Sequence, residues 1–140
     1  MRLYVLDTSV VGFALQKHPT YQKHALGLPD ETPIVTTIIT LGEDLSGWLP
    51  ACRRARTSAE RMIAYGRLQR GQEFYQRMTC LPFDDVAAQI FDQLNTQKIR
   101  IGTNDLAIAA ITFSVSGILV TRNIVDFQRV PNLPLEDWTV

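Results

Sequence analysis

Apolar and polar positions fall into blocks along this chain, and the length and spacing of each block separate strands from helices. Residues 3–6 and 118–120 are short unbroken apolar runs, which predict strands buried on both faces. Residues 33–37 carry the β-branched run Ile34, Val35, Thr36 and Thr37 and predict a third strand. A fourth is expected at 79–82, just before the acidic pair Asp84 and Asp85. Between these lie helical stretches. Residues 58–78 contain almost no breaker except Gly66 and Gly71, and 84–97 open on Asp84, a good N-cap residue. Pro50, inside 45–55, predicts a helix that kinks or ends near Leu49. Strands alternating with helices imply right-handed crossovers and a mostly parallel sheet covered on both faces. The expected class is α/β, with residues 1–140 forming one domain.

Composition narrows the picture without naming a function. Hydrophobic residues make up 46% and charged residues 20%, ordinary for a globular chain. No apolar run approaches the ~20 residues of a membrane span, and the first residues lack the apolar region and cleavage site of a secretory leader. A cytoplasmic location and no membrane association are the expectation. Cys52 and Cys80 form no CxxC pair and have no histidine at zinc-finger spacing, so both are expected as small buried residues without a disulfide. The formal net charge is zero, which argues against a generic nucleic-acid coat but leaves room for acids that offset a local basic patch. Such a patch exists. Arg53, Arg54, Arg56, Arg61, Arg67, Arg70 and Arg77 crowd the helical region, either as a solvated face or as a surface for phosphates or an acidic partner. Trp48, Tyr65, Phe74 and Tyr75 in the same region suit a groove for a partner helix, or equally core or dimer interface.

The chemistry rests on where carboxylates fall. Asp7 follows Val5 and Leu6 at the carboxyl end of the first strand, where open α/β sheets place ligand sites. It either binds a cation there or caps the next helix. Asn123 ends the strand 118–120 in the same way, and Asp126 lies one helical turn on, unless it is an exposed turn carboxylate. Glu43 sits in the first turns of the helix after the strand at 33–37. Its neighbour Asp44 is expected to face solvent. Asp105 opens an almost wholly apolar helix with Thr103 as the expected N-cap, and its charge would in any case complement the helix dipole. Together Asp7, Glu43 and Asp105 could meet at one sheet edge. An oxygen-only site of that kind suits magnesium or manganese and can make a phosphodiester hydrolysable without a protein nucleophile.

These residues carry a family likeness. Leu6-Asp7-Thr8, then Ile39-Thr40-Leu41-Gly42-Glu43, then residues 101–110 around Asp105, resemble the successive acidic motifs of VapC-like PIN-domain ribonucleases. The likeness continues through Leu119 to Asn123, Asp126-Phe127, Val130 to Leu133 and Glu136-Asp137-Trp138. The resemblance implies a PIN-like three-layer α/β/α sandwich and a metal-dependent endoribonuclease using Mg2+ or Mn2+. It also implies a toxin role, RNA as substrate, a VapB-like antitoxin partner and a homodimer. By position, Asp7, Glu43 and Asp105 match the core acids, and Asp126 matches an acid a few residues past the place of a fourth, where Asn123 stands. Thr8 matches a residue that supports the first acid by hydrogen bonding.

The main rival is a PIN-like module that has lost catalysis and binds RNA or a protein, against which all three core acids are present. A receiver domain would want an acidic pair after the first strand and a late lysine, whereas the last lysine is Lys98. A haloacid-dehalogenase-like phosphatase would want a second aspartate where Ser9 stands. Serine or cysteine hydrolysis lacks support, because His18 and His24 sit in a polar stretch without a nucleophile elbow and are expected at the surface.

Overall fold

Each of the four apolar runs becomes a strand in the computed structural model, which describes residues 2–140. Chain order is β1 (Tyr4–Leu6), α1 (Thr8–Leu15), α2 (Pro19–Leu26), β2 (Ile34–Thr37), α3 (Ile38–Arg54), α4 (Ser58–Arg77), β3 (Cys80–Leu81), α5 (Asp85–Thr96), α6 (Thr103–Ser114), β4 (Ile118–Val120), α7 (Ile124–Phe127) and β5 (Leu135–Glu136). The sheet order is β3-β2-β1-β4-β5, and every pairing is parallel. Among the strands only β5 goes unannounced in the sequence, because two half-buried residues leave no periodic signal.

Alternation along the central strands sorts the core into two layers. Val5 and Leu119 face one cluster, built with Leu94 of α5, the apolar face of α6 and Phe127 of α7. Tyr4, Leu6 and Val120 face the other, with Val10 and Val11 of α1, Tyr21 of α2, Tyr75 of α4 and Trp138. Helices therefore cover both faces, as the α/β/α expectation requires.

Several local expectations change. α3 runs unbroken through Pro50 to Arg54. The proline ring forfeits one helical hydrogen bond, but packing of Leu41, Trp48 and Cys52 on that helix supplies the continuity. Thr103 is the first helical residue of α6 rather than its cap, a place taken by Gly102. Asp44 does not face solvent. It is half-buried and accepts a hydrogen bond from Tyr75 Oη at 2.5 Å, tying α3 to α4. Trp48 lies so close to α4 that a Cβ on Gly71 would run into its ring, so glycine is required there. Of the four aromatics read as either a partner groove or core or dimer interface, Trp48, Phe74 and Tyr75 belong to the core and Tyr65 alone is exposed. His18 and His24 are half-buried. The first caps α2 by accepting from Thr20 N–H, and the second stacks flat on Trp138. Cys52 is buried and Cys80 half-buried, both as free thiols. No helix among the described residues is long and apolar enough to cross a membrane.

Candidate active site at the sheet switch point

Sequence order reverses direction in the sheet between β1 and β4, whose carboxyl ends therefore open a crevice between diverging crossovers. In-register pairing of Leu6 with Val120 sets the next residues, Asp7 and Thr121, side by side. Asp7 is only 3% exposed, yet its carboxylate is held at both oxygens: Ser9 Oγ donates to Oδ1 and Thr121 Oγ1 to Oδ2, each at 2.6 Å. The two hydroxyls are themselves fixed, because Arg122 N–H donates to Ser9 Oγ and Asn123 N–H to Thr121 Oγ1. Asp7 is the N-cap residue of α1, but its side chain makes no capping bond. Its carboxylate is free of that structural duty.

Glu43 arrives from the second turn of α3, and Asp105 from the first turn of α6. Both line a shared open cleft with Gly102, Thr103 and Asn104. A second open groove of about 510 Å³ continues from Glu43 and Asn104 past Ile38, Ile39, Gly42 and Ser46. Thr8 Oγ1 donates to Glu43 Oε1 at 2.6 Å and stands 3.3 Å from Thr40 Oγ1. This corrects the expected role of Thr8: it supports the second acid, since Ser9 and Thr121 already take the first.

Asp126, on α7, is the outlying acid. Asn123 Nδ2 donates to its Oδ2 at 2.8 Å, and Arg129 Nη1 lies 3.2 Å from its Oδ1. The same guanidinium donates to the Arg100 carbonyl at 2.7 Å, joining Asp126 to the segment that leads into α6.

The charges of these groups act on one another. Burial pushes the Asp7 carboxyl up to about 6, against the lowering effect of the Ser9 and Thr121 hydrogen bonds, and the charge of Asp105 adds to the rise. Partial burial likewise raises Asp105, and Glu43 and Asp126 raise it further. Asp105 is thus the hub through which all four acids feel one another. Among the described residues the single ion pair is Arg129 with Asp126, so Asp7, Glu43 and Asp105 share a field of like charge. Among the same residues, no group of three or more His, Cys, Asp or Glu side chains is drawn tight enough to hold an ion as it stands. The donor set itself, hard oxygens alone, fits magnesium or manganese.

Ser9, Thr121 and Arg129 were not anticipated. Thr121 was within reach of the sequence, because aligning the ends of the two apolar strands at Leu6 and Val120 puts it opposite Asp7. Nothing in the sequence distinguishes Arg129 from its many fellow arginines.

No family model matches the chain. Curated relatives do. It is 29% identical to ribonuclease VapC2 of Rickettsia felis, over 97% of this chain and 98% of that one. Identity is 30% to ribonuclease VapC1 of the same organism, over 92% and 91%. To the tRNA(fMet)-specific endonuclease VapC of Salmonella typhimurium it is 28%, over 99% of both. The solved structure of VapBC2 from R. felis bound to a promoter DNA fragment superposes with a TM-score of 0.77 at 29% identity, covering 97% of this chain and 98% of that one.

Proposed function

The chain belongs to the VapC family of toxin ribonucleases, and from that premise we propose that it hydrolyses RNA with a magnesium or manganese ion held by Asp7, Glu43 and Asp105. The observation that supports this reading is geometric: Glu43 and Asp105 line one open cleft, and Asp7 ends the central strand at the same sheet edge. Bound there, the ion supplies Lewis acidity toward a phosphate oxygen and the attacking water. The chain's own residues do the rest. Ser9 and Thr121 keep Asp7 ionised and fixed, and Thr8 aims Glu43 at the cleft. Glu43 lines both open clefts and meets the substrate side of the site. Asn123 and Arg129 hold Asp126 as a fourth acid at the edge, placed to act through water rather than by direct ligation.

The R. felis relative is described as VapBC2, a complex, and we extend that to this chain: a VapB-like antitoxin covers the acidic cleft, offering a cation to the carboxylates. A homodimer and a cytoplasmic setting complete the proposal. The test is a nuclease assay on purified protein beside Asp105→Asn. Cleavage should require added magnesium or manganese, stop in excess EDTA, and fall by about a hundredfold or more in the variant. Full activity in excess EDTA would refute the metal mechanism. Folded parent that cleaves no RNA under any metal would leave the inactive RNA- or protein-binding module standing.

A further inference from the structure

We propose that RNA runs from the acidic cleft along one face of α3, and that Arg53, Arg54 and Arg56, where α3 turns into α4, hold its phosphates. This rests on the nuclease reading above and adds a location for the substrate outside the catalytic acids.

The chain is electrically divided. Residues 45–78 carry seven arginines against two glutamates, a formal +5 in a chain whose total is zero, so the remainder, with the catalytic acids, carries −5. An acidic centre repels a polyanion. Substrate therefore needs a separate cationic anchor close enough to act on the same strand.

α3 links the two regions directly. Its buried face presents Leu41, Trp48 and Cys52 to the core. Gly42, Ser46, Leu49 and Arg53 recur at intervals of four, three and four and form one stripe on the flank of that buried face, exposed at every position. The groove beside Glu43 begins on this stripe at Gly42 and Ser46. Neither Gly42 nor Gly47 has an atom within 4 Å of where a Cβ would stand, so nothing blocks a chain lying there. At the helical rise, Glu43 and Arg53 are separated by ~15 Å, a few nucleotides of extended strand.

The anchor is held in place. Thr57 Oγ1 accepts from Glu60 N–H, and Glu60 Oε2 accepts from Arg56 N–H, a reciprocal cap that fixes the start of α4. Arg61 Nη2 donates to the Ala55 carbonyl and braces the same turn. Arg53, Arg54 and Arg56 are exposed, and none is ion-paired among the described residues. A rigid turn bearing three free guanidinium groups is suited to phosphate, which arginine grips with two hydrogen bonds at once.

The experiment is a salt titration of binding to a labelled single-stranded RNA, by fluorescence anisotropy with magnesium present. Both proteins carry Asp105→Asn to prevent cleavage, and one also carries Arg53→Gln, Arg54→Gln and Arg56→Gln. Losing three phosphate contacts should reduce the slope of log affinity against log salt by about 2, and low-salt affinity should drop about tenfold or more. Replacing the three arginines with lysines should restore the slope while recovering only part of the affinity. In proteins retaining Asp105, the glutamine variant should raise KM for long RNA at unchanged kcat, and cleave a dinucleotide too short to reach the turn as the parent does. An unchanged salt slope would overturn the proposal, as would an equal loss on long and short substrates. Met62 and Ile63, exposed on α4, supply the contrast: RNA binding that depends on them instead of the arginines would also overturn the phosphate anchor. If the parent cleaves no RNA at all, the nuclease reading fails while the salt slope still decides this one.

Discussion

Asp7→Asn should abolish hydrolysis yet make the metal-free protein more stable at neutral pH. The Asp7 carboxyl is raised from 3.8 to about 6 in the fold, first by burial. Below pH 3.8 the group is protonated in both folded and unfolded chains and carries no penalty. As pH rises from 3.8 to 6, the unfolded chain releases the proton while the fold retains it, so stability declines through that window. Above 6 the full cost is in place, about 3 kcal/mol for a shift of about two units. An asparagine escapes this cost. Its amide, however, presents a donor where an oxygen accepted, and Ser9 or Thr121 must turn its hydroxyl to receive it, at about 1 kcal/mol. The net gain is about 1–2 kcal/mol, or a rise in Tm of a few degrees for a chain of this size. Differential scanning calorimetry in EDTA checks it at pH 7.5 and pH 4. The variant should melt higher at pH 7.5 and slightly lower at pH 4, and added magnesium should narrow the gap at pH 7.5 by stabilising the parent more. A variant that melts lower than the parent at both pH values would refute the reasoning, because Asp7 would then be stabilising the fold rather than straining it.

Thr121→Val removes a hydrogen bond that lowers the Asp7 pKa, so the rising limb of the pH–rate profile should move to higher pH and the neutral rate fall by about tenfold or more. Tyr75→Phe leaves the half-buried Asp44 without its donor and should cost about 1–3 kcal/mol in urea unfolding, with a smaller loss at acid pH where Asp44 protonates. Asp126→Asn and Arg129→Ala should move metal affinity in opposite directions, measured by calorimetric titration of Mn2+: the first removes a charge that attracts the ion, the second removes a cation already resident on that charge. Asn123→Ala should leave that affinity nearly unchanged while lowering the rate at saturating metal, as loss of a positioning contact does.

The fold was legible where periodicity is strong. Val5 and Leu119 pack to one side of the sheet and Tyr4, Leu6 and Val120 to the other, so unbroken apolar runs of three or four residues could only be central parallel strands. Pro50 does not end the helix, because propensity is a local quantity, whereas α3 is held by Trp48 lying across Gly71 from another helix. Asp44 misled for the same reason, since adjacent helical residues point in different directions and only the position of Tyr75 decides which of them is buried. The acids themselves could be placed because sheet topology collects the ends of parallel strands at one edge, whatever lies between them in sequence. Of their hydrogen-bond partners only Thr121 could, because strand register sets it beside Asp7. Thr8 and Ser9 are adjacent, and assigning one hydroxyl to Glu43 and the other to Asp7 requires torsion angles that no spacing rule encodes.

That division between legible acids and mostly illegible partners has a physical basis. A carboxylate at a strand end is expensive wherever it is buried, so its position alone signals a compensating ligand. The compensation here is deliberately incomplete. Asp7 receives two neutral hydroxyls, which soften the burial penalty without neutralising the charge, and its carboxyl stays raised. Among the described residues Asp126 alone receives a cation, and that cation sits at the outer edge, bound also to the Arg100 carbonyl. Had Arg129 reached Asp105 instead, the hub of the repulsion would be quenched and little would remain to attract an ion. On the proposed function, placing this arginine at the margin leaves the field of Asp7, Glu43 and Asp105 to an incoming cation, while the excess positive charge stands apart at the far end of α3, where the proposed anchor meets phosphate.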